Sequence, residues 1–139
     1  MNFLLDTNVV SELRKPARVC APSVREWANG RDPESLYLSV LTVQELEIGI
    51  GRLERRNAAQ GHTLRLWLED RLLLQFRNRI LPIDLPVARL AAQWHVPHPR
   101  PLVDAMIGAS AFLRGFSVVT RNVRDFEPLG VPTINPWRR

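Results

Sequence analysis

Apolar positions along the 139 residues follow two periods. Short runs rich in Leu, Val and Ile occur at 3–6, 36–40, 80–83, 117–120 and 132–135, with the length and composition of strands. Val9 and Val10, just beyond the first run, are also residues that a buried strand uses. Between the runs the spacing turns helical. "SVREWANG" ends on a glycine suited to a helix C-terminus, and "TVQELEIGIGRLERR" places Val43, Leu46, Ile50 and Leu53 on one face. "TLRLWLEDRLLLQF" repeats Leu64, Trp67, Leu68 and Leu72, and "PVARLAAQW" follows. "PLVDAMIGASAFLRG" is apolar nearly all round, which predicts a buried helix. Strands alternating with helices predict an α/β fold, a parallel five-stranded sheet flanked by helices. No repeat, low-complexity tract or linker divides the chain, so residues 1–139 are expected to form one domain. The Pro-rich "VPHPRP" at 96–101 reads as a stiff loop between two helices, with His95 and His98 as loop residues.

Composition narrows the setting. No apolar run is long enough to span a membrane, and "MNFLLD" lacks an export signal. The single Cys20 has no intramolecular partner, which suits a reducing cytoplasm. Nineteen basic residues against fourteen acidic ones leave a net charge of +5, and every basic residue but Lys15 is an arginine. Between residues 52 and 79, seven arginines face only Glu54, Glu69 and Asp70. An arginine-rich exterior suits a polyanionic partner, or is simply a solvated surface.

The acids change the picture more. In a parallel sheet, sites form beyond the carboxyl ends of the strands. Asp6 ends the first strand there, in the midst of "DTN". Glu45 follows the second strand, expected in the first turn of the next helix, where Thr42 and Glu45 also fit a capping box. Asp104 falls in the first turn of the buried helix, and Asp125 follows the fourth strand in "TRNVRDFE". Taken singly, the last two suit a helix start and a loop turn. Together, four carboxylates converging from four places repel one another unless a hard cation such as Mg²⁺ or Mn²⁺ joins them. A metal-bound water beside a basic surface points to phosphodiester hydrolysis. Thr7, Asn8, Thr120 and Asn122 would then support the ligands or touch phosphate, and Arg121 and Arg124 would hold the flanking backbone.

"LLDTNVVSELRKP", "LSVLTVQELEIGI", "ILPID", "PLVDAMIGASA" and "VVTRNVRDFEPLGVPTINPW" resemble, in order and spacing, a PIN domain of the VapC-type toxins, the FitB-like branch in particular. The resemblance implies a Mg²⁺- or Mn²⁺-dependent endoribonuclease, the toxin of a type II toxin–antitoxin pair, acting on structured RNA such as tRNA or rRNA. The family's four acids fall on Asp6, Glu45, Asp104 and Asp125. Some relatives carry the fourth acid where this chain has Asn122, so Asn122 or Asp125 faces the metal, with Asp125 favoured. The resemblance also implies a VapB-like antitoxin as partner, a homodimer and a toxin–antitoxin hetero-oligomer. The apolar stripes at 46–53 and 64–76 are candidates for such surfaces, or for plain core. The rival reading is a catalytically silent PIN-like module that only binds RNA or its partner; retention of all four acids argues against it. Other folds with an early Asp fit less well. A dehalogenase-type phosphatase needs an acid at position 8, which is Asn, and a receiver domain needs a late lysine. Gly49 and Gly51 lack the third glycine of a dinucleotide site.

Overall fold

The computed structural model describes residues 1–138. At its centre lies β1 (Phe3–Leu5), whose three apolar residues have strands on both edges. On one edge β2 (Leu36–Ser39) sets Leu36 opposite Phe3; on the other β4 (Ser117–Val119) sets Val118 opposite Leu4. β3 (Ile80–Leu81) joins β2 and β5 (Thr133–Ile134) joins β4. The order is β3-β2-β1-β4-β5, and every pairing is parallel. The expected five-stranded parallel sheet is present, each strand one or two residues shorter than its apolar run.

Burial on both faces explains why these runs do not alternate with polar residues. Phe3 and Leu5 pack with Val9, Val24, Leu38 and Leu68 on one side. Leu4 packs with Ile107, Val118 and Phe126 on the other. The first face is covered by α1 (Thr7–Arg14), α2 (Pro22–Asn29), α3 (Val40–Arg56) and α4 (Ala58–Trp67). A π-turn at Leu68–Leu72 leads from α4 into the short α5 (Leu73–Gln75). The second face is covered largely by α7 (Leu102–Arg114), against which α6 (Leu85–His95) packs.

Several expectations change. Val9 and Val10 are buried in a helix rather than a strand, because Asp6 caps α1 and turns the chain one residue after β1. α3 begins at Val40 and is capped by Ser39, whose hydroxyl accepts from Leu41 N–H at 3.0 Å. Thr42 is therefore not the cap, and Glu45 lies in the second turn. His95 is the last residue of α6, its Nδ1 accepting from Arg100 N–H at 3.0 Å, and not a loop residue. α7 buries its small middle, from Ala105 to Ala111, but leaves Leu102, Phe112 and Leu113 exposed at its ends. In the stripes at 46–53 and 64–76, Leu46, Ile50, Leu68, Leu72 and Phe76 belong to the core. Ile48, Leu66 and Leu74 remain outside.

The strand order decides where a site can form. From β1 the chain moves to β2 and then β3; it then crosses back to lay β4 on the opposite edge of β1. Connections leaving β1 and β4 depart in opposite directions, which opens a crevice above their carboxyl ends.

Candidate active site

Asp6 stands at that crevice, 6% exposed. Its backbone N–H donates to Val119 O at 2.9 Å, tying it to the end of β4. Its Oδ1 accepts from Thr7 N–H at 2.9 Å, the capping bond of α1. Its Oδ2 accepts from the Thr120 hydroxyl at 2.8 Å and from Asn8 Nδ2 at 3.2 Å. Burial raises the Asp6 pKa; the bonds from Thr120, Thr7 and Asn8 work against the shift, and the charge of Glu45 adds to it. The buried Asp6 carboxylate thus has three hydrogen-bond donors.

Thr120, fully buried, is the hub of this corner. Besides donating to Asp6 it accepts from Asn122 N–H at 3.0 Å and from Asn8 Nδ2 at 3.3 Å. Asn8 Oδ1 in turn accepts from Arg121 N–H at 3.2 Å. The loops after β1 and β4 are thus fastened by side chains of "DTN" and "TRN".

Glu45 is exposed on α3, with Oε1 accepting from the Thr7 hydroxyl at 2.7 Å. The Thr7 and Thr42 hydroxyl oxygens lie 3.2 Å apart, and Thr42 is fully buried. A threonine hydroxyl has one proton. Thr7 places its proton on the nearer, charged acceptor, so Thr42 supplies the proton between the two hydroxyls. The relay Thr42–Thr7–Glu45 links α3, α1 and the acid. Sequence reasoning missed it, although the T-x-x-E spacing, read there as a capping box, was the available signal.

Asp104 occupies the first turn of α7, as expected. Its pKa is pushed up to about 6, first by burial, then by the charges of Asp6, Asp125 and Glu45, and by a hydrogen bond with Asp125. Asp125 ends a 3₁₀ turn (Val123–Asp125) anchored by the fully buried Phe126. The charges of Asp6, Asp125 and Glu45 all act on Asp104, which makes the four acids electrostatic neighbours. Asn122 engages the corner through its backbone.

Carboxylates alone furnish hard oxygen donors, which select Mg²⁺ or Mn²⁺ over softer ions. Their mutual repulsion is what a divalent cation would relieve. Among the described residues no three acidic, His or Cys side chains close into a ready cage. An ion that keeps several waters needs only one or two carboxylates.

Known proteins resemble this chain in sequence and fold. The family model described as PIN domain matches residues 3–130. The chain is 37% identical to Toxin FitB of Neisseria gonorrhoeae, over 97% of this chain and 98% of that protein. It is 36% identical to VapC ribonuclease Y4jK of Sinorhizobium fredii, over 97% of each. The crystal structure of FitAcB from Neisseria gonorrhoeae superposes with a TM-score of 0.88 at 35% identity, covering 99% of both chains.

Proposed function

Because the chain belongs to the PIN-domain family, we propose that it is a Mg²⁺- or Mn²⁺-dependent endoribonuclease, the toxin of a toxin–antitoxin pair, working as a single domain over residues 1–139. The observation that carries this reading is the buried Asp6 carboxylate held at the crevice by Thr7, Asn8 and Thr120, with Glu45 on the same Thr7 hydroxyl; the charges of Asp6, Asp125 and Glu45, which raise the Asp104 pKa, support it. A toxin and a ribonuclease among relatives aligned along nearly their whole length support it.

Asp6 and Asp104 would hold the metal, with Glu45 and Asp125 completing the set directly or through water. The ion, when bound, supplies a water of lowered pKa and neutralises charge developing on the phosphate. The chain's own residues do the rest. Thr120, Asn8 and Thr7 N–H fix the Asp6 carboxylate, so its free lone pairs keep one direction. Thr7 and Thr42 orient Glu45 from the other side. Asp104, with a pKa of about 6, is the acid best poised to take up a proton near neutrality when no cation is present. Arg121 and Asn122, on the turn after β4, are placed to meet the RNA strand.

The partner is an antitoxin of the VapB kind, with homodimers assembling into a toxin–antitoxin complex; exposed Leu102, Phe112 and Leu113 on α7 offer apolar surface for assembly. Among the described residues no helix is long and apolar enough to cross a membrane, and we place the protein in the cytoplasm.

The test is incubation of the purified chain with total RNA from its host in Mg²⁺ or Mn²⁺. RNA ends that EDTA abolishes, and that D6N and D104N no longer produce, are the expected result. A folded protein that binds RNA or an antitoxin yet never cuts would establish the silent module instead. Cutting that survives both substitutions would remove the acids from the mechanism.

A further inference from the structure

Trp137 carries no part of the chemistry above, yet it touches the site's rim. The Arg121 guanidinium carbon lies 5.0 Å from the centroid of its ring. Trp137 is a fixed platform. Its backbone N–H donates to Asn135 Oδ1 at 3.0 Å, its carbonyl accepts from Ser23 Oγ at 3.4 Å, and its half-buried side chain packs against the core cluster that includes Phe3 and Leu5. Arg121 is exposed and directly follows Thr120, the residue that donates to Asp6. Its backbone is held by Asn8 Oδ1. Among the described residues its side chain joins no ion pair with a carboxylate. Glu12, the acid that feels its charge, is committed to Ala21 N–H at 2.9 Å and Lys15 at 3.0 Å.

An exposed arginine ordinarily spreads over many rotamers, and ordering it costs side-chain entropy on every binding event. Stacking on Trp137 uses the face of the guanidinium and leaves its in-plane N–H groups free. Those edges match a phosphate bidentately.

We propose that Trp137 holds Arg121 as a preset clamp for a backbone phosphate of the RNA, flanking the scissile bond where the strand crosses the β4–β5 side of the crevice. The clamp deepens the ribonuclease reading and rests on it. Trp137 is a positioning residue, acting only through Arg121.

The experiment measures binding of a fluorescein-labelled mixed-sequence RNA 20-mer by the full chain in EDTA, between about 50 and 200 mM salt. We expect R121A to weaken binding about fivefold to tenfold and to lower the slope of log K against log salt by about 0.7, one phosphate's share on a single strand. W137A should weaken binding about threefold alone and not at all in the R121A background. W137F, which keeps a ring under the guanidinium and preserves packing, should bind nearly as wild type does, and R121K should fall between wild type and R121A. Thermal melts of each variant separate folding from binding. Wild-type binding by R121A, or an equal loss from W137A with and without Arg121, overturns the clamp. A chain that never cuts RNA but loses binding in R121A would overturn the ribonuclease reading and leave the contact standing. A wild-type chain that binds no RNA overturns both.

Discussion

At the level of single residues, the site is a set of charges held against their preference. Asp104 has a folded pKa of about 6 against an ordinary 3.8, so the folded state binds its proton more tightly than the unfolded chain does. Stability is therefore lost as pH rises from about 4 to about 6, and the penalty is fully present above that. In the metal-free protein D104N should raise Tm by roughly 3–5 °C at pH 7.5, for about 1 kcal/mol once solvent screening is allowed for. At pH 4 it should leave Tm unchanged; an equal gain at both values in thermal melts would show that the carboxylate's charge is not the cause. Thr42 makes a second case. Thr42→Val keeps the volume but removes the proton that Thr42 offers Thr7, leaving Glu45 less firmly aimed. Its cleavage rate should fall about tenfold or more, as is usual for groups that orient metal ligands. Thr42→Ser, which restores the hydroxyl, should recover most of the rate.

Among the elements, α3 and α4 show which contacts matter. Gly61 on α4 is buried against α3, and a Cβ there would lie 2.5 Å from Glu54 Cα, a backbone atom with nowhere to go. Arg65, one turn further along, joins Glu54 and Glu47 of α3 and reaches Glu69 at 3.8 Å. The ion pairs look richer, but they are exposed and solvent-screened and contribute little. Overpacking a close helix contact costs about 1–3 kcal/mol. G61A should accordingly lower the urea midpoint clearly more than R65A does, and the reverse order would overturn this ranking. The helix boundaries were only partly legible in the chain. The α2, α3, α6 and α7 segments announced themselves by period and flanking residues. α1 did not, because Val9 and Val10 suit strand and helix alike, and the acid that starts the helix also ends the strand. The capping box at Thr42 misled because Ser39, itself a good cap, sits three residues earlier.

For the whole molecule, acids are collected at one crevice while the chain carries a net +5. A divalent cation added to the apo protein should stabilise it, because it binds the folded site and competes with the Asp104 proton. At tenfold excess over its Kd the gain is about 1.4 kcal/mol. The Tm rise with Mn²⁺ should be several degrees at pH 8, much smaller at pH 5, and abolished in D6N/D104N. A rise that ignores pH or survives the double substitution would place the ion elsewhere.

The chain alone determined the sheet, since runs apolar without alternation have no stable place except between two layers of helices. It also singled out Asp6, because a carboxylate ending a buried strand is too costly to be incidental. What the tertiary structure decided were the relations across long separations. Thr120 reaches Asp6 across 114 positions, Thr42 reaches Thr7 across 35, and Arg121 meets Trp137 only because β4 and β5 lie side by side. Local composition expresses what a segment must bury or cap; which hydroxyl faces which carboxylate depends on crossover direction and strand register, which no local pattern encodes.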